Sequence, residues 1–140
     1  MREQSISGWK QHVVDGTKYL NTALNGLSRP KVFNNELIFQ LAAMAIEKMI
    51  VGVYQYHNEM PTDHTLSGLV DGLAAICPMN PGLSERIKRI EAMDNMCPLV
   101  PVRRESPEDT LIKEILDTGL DVADYARKNA PVDDHDPMAA

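Results

Sequence analysis

Four side chains that could bind a metal or transfer a proton lie in one short segment: His57, Glu59, Asp63 and His64. Imidazole nitrogens and carboxylate oxygens are common protein ligands of zinc and other transition metals. No pair among the four has i, i+3 or i+4 spacing inside one clearly predicted helix. Glu-x-x-His, the motif of di-iron bundles, does not occur in the sequence. We therefore predict no metal ion and no cofactor.

His64 is the strongest candidate of the four because it follows a predicted helix start at Thr62 or Asp63. Histidine titrates near physiological pH, so this side chain could line a ligand cleft or act as an acid or base. The structural alternative, which we favour, is a capping or turn hydrogen bond. Because the functional role stays open, we also include His64 among the predicted ligand-binding residues.

Glu47 and Lys48 are adjacent charges inside an otherwise apolar stretch. On a helix they point about 100° apart, so they do not form one simple pair with each other. The structural interpretation is that Glu47 meets a cation such as an arginine on a neighbouring helix, while Lys48 reaches outward to water. The functional interpretation is that Lys48 holds a phosphate.

Basic residues form three short groups along the chain. They are Arg29 with Lys31, Arg86 with Lys88 and Arg89, and Arg103 with Arg104. The second group belongs to a predicted fourth helix and the third to the loop that follows it. If these two groups lie side by side, they would make one site for a phosphate or an RNA backbone. Solvated surface is the alternative, and neither GxGxxG nor GxxxxGK occurs to support a phosphate loop. The predicted ligand-binding residues are Lys48, His64, Arg86, Arg89, Arg103 and Arg104.

Cys77 and Cys97 each precede a proline, and they are not arranged as CxxC. Neither a redox motif nor a zinc clip is therefore indicated. Cys77 falls on an apolar stripe, which predicts a small core residue. The first residues show no signal-peptide pattern, so we expect reduced thiols and a cytoplasmic protein.

The composition is typical of a globular domain: of 140 residues, 44% are hydrophobic and 24% are charged. This length suggests one domain. The formal net charge of -6 argues against broad, non-specific binding to nucleic acid, which needs clustered Lys and Arg.

One stretch, residues 35–57, must position all of these side chains. It contains no proline, and its apolar residues occupy every angle of a helical wheel. Such a helix is either a membrane span or the centre of a bundle. A charge in mid-membrane costs roughly 2.5–3.5 kcal/mol, so Glu47 and Lys48 favour a buried central helix and no membrane contact.

Hydrophobic periodicity predicts four more helices around this one, and no strand. The prediction is an all-α, five-helix antiparallel up-and-down bundle over residues 1–130, followed by a disordered acidic tail over 131–140. The four helices run from about Ser5 to Leu27, from Thr62 or Asp63 to Pro78, from Asn80-Pro81 to beyond Ile90, and from a serine cap at Ser106 to Lys128.

Three short features follow one another along the predicted bundle. The first is the Glu47-Lys48 step on the long apolar helix. The second is the segment 61–66, which has the pattern Pro-x-x-His-x-Leu and leads into the third helix. The third is Arg103 or Arg104, just before the last helix.

Together, in this order, these features resemble the HEPN family (higher eukaryotes and prokaryotes nucleotide-binding domain), over roughly residues 9–128. HEPN domains are helical bundles that often dimerise. Members include metal-independent ribonucleases, nucleotide-associated modules, and partners of minimal nucleotidyltransferases in toxin–antitoxin pairs. The resemblance implies a homodimer, with a nucleotide, an RNA or a nucleotidyltransferase as further partners.

The ribonuclease members use an arginine and a histidine separated by four to six residues, and no arginine in this chain has a histidine at that spacing. The Tyr-Pro that often follows the loop arginine is replaced by Arg104-Glu105. We therefore expect a non-catalytic binding or regulatory module for a nucleotide, RNA or protein partner. Two alternatives stay open: a ribonuclease with a non-standard site that pairs His64 with Arg103 or Arg104, and a purely structural dimeric bundle.

Overall fold

The computed structural model describes residues 6–94 and 107–131, and in these ranges the chain is all-helical with five helices and no strand. The predicted all-α class is confirmed. The predicted tail lies outside the described residues, apart from Pro131. The helices are α1 (Trp9–Gly26), α2 (Asn35–Tyr56), α3 (Leu66–Leu73), α4 (Pro81–Asp94) and α5 (Asp109–Asn129).

α2 begins where the sequence predicts. The side chain of Asn34 accepts a hydrogen bond from the Leu37 backbone N–H at 2.9 Å, and Glu36 lies in the first turn. The cap satisfies a backbone donor that has no partner inside the helix, and the carboxylate interacts favourably with the helix dipole.

α3 begins later than predicted. Thr65, not Thr62 or Asp63, is its N-cap, and its hydroxyl accepts a hydrogen bond from Gly68 N–H at 3.1 Å. The Asp63 carboxylate instead accepts from Thr65 N–H at 2.8 Å, which forms a turn before the helix. His64 therefore precedes the helix rather than lying in its first turn. α5 also begins later, with Glu108 rather than Ser106 at its N-cap.

α2 is the central helix, but its two halves differ. Residues 49–55 are buried on every side. The first half has an exposed side at Leu37, Gln40 and Met44, so burial on all sides is confirmed only for the second half. The reason is length: α3 has only eight residues, and it packs beside Tyr54 in the second half.

α1 packs against α2 in the opposite direction, and two glycines allow the close approach. A Cβ on Gly16 would lie 2.5 Å from Met49 Cγ and 3.0 Å from the Ala45 carbonyl oxygen. A Cβ on Gly52 would lie 2.5 Å from Val13 Cγ2. Neither site has room for a side chain, so the two helix backbones meet nearly directly.

α5 runs parallel to α2 on the other side of the core. At the first ends of the helices, the Asn35 side-chain amide donates to the Pro107 carbonyl at 2.9 Å and to Asp109 Oδ1 at 2.8 Å. At their last ends, His57 Nε2 lies 2.8 Å from the Asn129 carbonyl oxygen. Two contacts of this kind at opposite ends define the direction.

The helices do not alternate strictly in direction, because the connection from α2 to α3 runs back along α2. His64, near the end of this connection, lies 3.6 Å from Glu47. Tyr54, seven residues further along α2, donates to the Leu69 carbonyl at 2.6 Å. α3 therefore advances in the direction of α2, and α4 then runs back beside α3.

α2 also has the length and composition of a candidate membrane span, with a mean hydropathy of 1.6 in its most apolar window. One such helix is weak evidence for a membrane protein, because the core helix of a bundle meets the same criterion. In this fold, 61% of the window is buried against the rest of the chain.

We expect Gly16→Ala to destabilise the protein by about 1–2 kcal/mol, although alanine is the better helix former. Overpacking against Met49 and the Ala45 carbonyl costs roughly 1–3 kcal/mol and outweighs about 1 kcal/mol of helix propensity. Urea unfolding measures the change. Asn21→Ala, on the exposed side of α1, is the control and should be neutral or stabilising. A stabilised Gly16→Ala variant would contradict the close contact.

Candidate functional site

The arginines of the predicted anion site on α4 already have partners. Arg86 forms an ion pair with Asp121, and Arg89 forms one with Glu114. Both carboxylates belong to α5, so the pairs join α4 to α5. The guanidinium groups are therefore not free cations awaiting a phosphate.

Lys88, between the two arginines, points to α3 instead. Its ammonium group lies 2.6 Å from Asp71 Oδ1. Nearby, the Ser67 backbone N–H donates to Glu91 Oε2 at 3.2 Å. Exposed pairs of this kind contribute about 0–1 kcal/mol each, so they orient α4 more than they stabilise it.

The structure brings only part of the predicted anion site into view. Arg103 and Arg104 lie outside the described residues, so their distance from α4 stays a prediction. On α4 itself, each of the three cations faces a carboxylate from a neighbouring helix. The local field there is close to neutral, which disfavours a polyanion.

His64 and Lys48 contact different neighbours. His64 Nδ1 lies 3.6 Å from Glu47 Oε2, and the two side chains are 60% and 43% exposed. Lys48 Nζ lies 5.8 Å from the centre of the Tyr19 ring on α1, in a cation–π contact. Glu47 thus meets a histidine from the connecting segment, not an arginine as expected. Lys48 lies over the surface of α1.

Of His57, Glu59, Asp63 and His64, three side chains contact separate partners. His57 bonds to α5, Asp63 caps a turn and His64 meets Glu47. Across residues 6–94 and 107–131, no group of three or more His, Cys, Asp or Glu side chains is placed to hold a metal ion.

A shallow depression of about 260 Å³ lies between the connecting segment and α3. Tyr54 forms part of its wall, and Gly72 is required beside it because a Cβ there would lie 2.1 Å from the Tyr54 hydroxyl oxygen. Burial raises the pKa of Tyr54, so the hydroxyl stays a neutral donor to Leu69. A backbone hydrogen bond from Thr65 lowers the pKa of Asp63, so that carboxylate is charged.

Sequence reasoning missed this depression. The one available signal is the pair Gly68 and Gly72, four residues apart on one side of α3. A Cβ on Gly68 would lie 2.2 Å from Asp63 Oδ2. Gly68 therefore makes room for the Asp63 side chain, and Gly72 makes room for the Tyr54 hydroxyl.

Cys77 is a core residue, as predicted. The Tyr125 hydroxyl donates to the Cys77 carbonyl and lies 3.2 Å from its sulfur. Burial raises the pKa of the Cys77 thiol, and burial also raises the pKa of Tyr125. A protonated, buried thiol is a poor nucleophile, so Cys77 has a structural role. Cys97 lies outside the described residues.

A second surface that the sequence analysis did not single out lies on the first half of α2. Leu37 and Met44, on one side of the helix, are 37% and 44% exposed, and Leu41 between them is half-buried. Phe33, just before α2, packs over Gly26 at the end of α1. We call the surface formed by Phe33, Leu37, Leu41 and Met44, with Arg29 and Lys48, the hairpin face.

A cation rests on an aromatic ring at each end of the hairpin face. The Arg29 guanidinium carbon lies 6.0 Å from the centre of the Phe33 ring. Lys48 lies over Tyr19, as described above. The hairpin face is thus apolar along its middle and positively charged at both ends.

No protein-family model, curated protein or solved structure matches this chain. The resemblance to the HEPN family therefore rests on the three sequence features alone and stays a prediction. Of those features, the structure places Glu47 and His64 in contact, and Arg103 and Arg104 lie outside the described residues.

We predict that removing the carboxylate partners of α4 creates RNA binding. The triple variant Asp71→Asn, Glu114→Gln, Asp121→Asn frees three cations and should bind single-stranded RNA roughly tenfold tighter at low salt. Fluorescence anisotropy measures the affinity. The control triple variant, Glu59→Gln, Glu108→Gln, Asp117→Asn, changes the net charge equally at exposed positions. Equal gains in both triple variants would show that net charge alone matters.

Proposed function

We propose that this protein is a HEPN-type binding or regulatory module that acts without catalysis, and that its principal ligand is a protein partner. The hairpin face carries this proposal. Large apolar side chains that stay exposed side by side typically mark an interaction surface. Here they lie along the central helix, where a bundle would otherwise bury them.

A nucleotide or an RNA is the less favoured ligand. The described cations of the predicted phosphate site, Arg86 and Arg89, are paired with α5 carboxylates. A phosphate would have to displace those carboxylates. Lys48 and His64, the other described candidates, contact separate neighbours and do not converge on one ligand position.

The family resemblance supplies the rest of the proposal. The five helices would have the HEPN arrangement, and a second copy of the chain or a minimal nucleotidyltransferase would be the partner. A cytoplasmic location without membrane contact belongs to the same proposal. The burial of 61% of the apolar window of α2 supports its role as a core helix. If neither ligand nor partner binds, a purely structural bundle is the third possibility.

We expect a photo-crosslinking residue at position 44 to capture a discrete protein adduct in cells that encode this chain. The same residue at position 120, on the exposed side of α5, is the matched control, because Leu120 is 47% exposed and lies outside the hairpin face. Denaturing electrophoresis detects the adduct.

A different pair of results would show nucleotide binding instead of a protein partner. If position 44 captures nothing, and one nucleotide or RNA raises the melting temperature by several degrees, the module binds nucleotides instead. A ligand at about 100 times its Kd adds roughly 2.7 kcal/mol to the unfolding free energy. That shift should then disappear in the double variant Arg86→Ala, Arg89→Ala.

The contact between His64 and Glu47 favours one alternative, a ribonuclease, because a carboxylate beside a histidine can orient it for acid–base chemistry. Under our proposal, purified protein shows no RNA cleavage that depends on His64. The comparison uses wild type, His64→Ala and the control His12→Ala, with gel analysis of a labelled RNA. Cleavage lost only in His64→Ala would establish the ribonuclease instead.

A further inference from the structure

We infer that the hairpin face is the docking site for an acidic amphipathic helix of a partner protein. The inference rests on the proposed function and names the chemistry of its partner. It starts from the charge distribution. The segment from Trp9 to Tyr56 carries five Lys or Arg and three Asp or Glu, a net charge of +2. The whole chain has a net charge of -6, so the residues outside this segment together carry -8.

Of the described cations outside this segment, all but Lys113 on α5 lie within salt-bridge distance of a carboxylate. On α4, each Lys or Arg has a carboxylate within salt-bridge distance, and Arg127 and Lys128 on α5 share Asp124. By contrast, within the part of the chain that the structure describes, four cations of the hairpin have no such carboxylate. They are Lys18, Arg29, Lys31 and Lys48.

Two of these cations are also held in place. Arg29 lies over Phe33 and Lys48 lies over Tyr19, at opposite ends of the apolar residues. Ordering these long side chains beforehand lowers the entropy lost when a partner binds. From Leu37 to Lys48 the helix rises about 16 Å, which is the length of about three helical turns.

The carboxylates of α2 do not cancel this positive charge. Glu36 and Glu47 project about 70–90° away from the Leu37–Met44 line round the helix. Glu47 is engaged with His64. The line of Leu37, Leu41 and Met44 therefore has cations at its ends and no carboxylate along it.

An acidic amphipathic helix fits this arrangement best. Its apolar residues at i, i+3 or i+4, and i+7 would cover the apolar line, and its carboxylates would meet Arg29 and Lys48. Nucleic acid would leave the apolar line without a partner. A second copy docked symmetrically on the hairpin face would bring two positively charged faces together, which costs free energy. The proposed homodimer would therefore form through a different surface.

The probe for this inference is a synthetic helix of about four turns with leucine at those spacings and glutamate at its flanking positions. Its twin carries lysine in place of every glutamate. By fluorescence anisotropy at low salt, we expect the glutamate peptide to bind roughly tenfold tighter than its twin, and more weakly as salt rises.

Variants locate the binding. Met44→Asp, and separately the pair Arg29→Glu, Lys48→Glu, should each weaken binding of the glutamate peptide roughly tenfold. Leu120→Asp on α5 is the control and should leave it unchanged, because Leu120 is similarly exposed but outside the hairpin face. Circular dichroism and urea unfolding show whether each variant keeps the fold.

Three outcomes would overturn the inference: equal affinity for the two peptides, binding unaffected by Met44→Asp, or no peptide binding together with Met44-dependent attachment to anionic vesicles or self-association. The crosslinking experiment distinguishes failure of this inference from failure of the proposed function. An adduct at position 44 without peptide preference leaves a protein partner of other chemistry. Loss of both results removes the proposed function as well.

Discussion

Close packing of α1 on α2 is the contact on which the rest of this structure depends. At Gly16 and Gly52 the two helix backbones approach too closely for any Cβ. That approach places the inner side chains of both helices in one continuous core. α5 covers another side of this core, where Leu20 packs over Gly119 in the same manner. Dispersion contacts in such an interior are individually small, but close packing makes them numerous.

The outer helices are attached by different forces. Two buried hydroxyl groups reach carbonyl oxygens at and beyond α3, from Tyr54 to Leu69 and from Tyr125 to Cys77. Each satisfies a buried polar group that would otherwise cost about 1–3 kcal/mol. α4 is joined to its neighbours partly by exposed ion pairs, which contribute less. α4 also buries Leu83, Ile87 and Ile90 in the same core as the other helices.

The cations of α4 and those of the α1–α2 hairpin differ in their partners. On α4 the cations are matched by carboxylates from the bundle itself, so their charge is used within the fold. On the α1–α2 hairpin, Arg29 and Lys48 rest on aromatic rings beside exposed apolar residues. Unmatched charge beside exposed apolar side chains is typical of an interaction surface. Our proposal of a protein partner rests on this contrast and not on any catalytic motif.

The sequence by itself predicted the five helices and the start of α2 at residue 35, because helical periodicity and local start signals act over one or two turns. The starts of α3 and α5 were predicted too early. Only the tertiary structure decided the pairing of Arg86 with Asp121, the contact of His64 with Glu47, and the direction of α3. The two contacts join residues that are 35 and 17 positions apart, respectively. The direction of α3 depends on the path of the segment that connects it to α2. A basic cluster in a sequence therefore looks like a phosphate site until the fold shows which carboxylates face it.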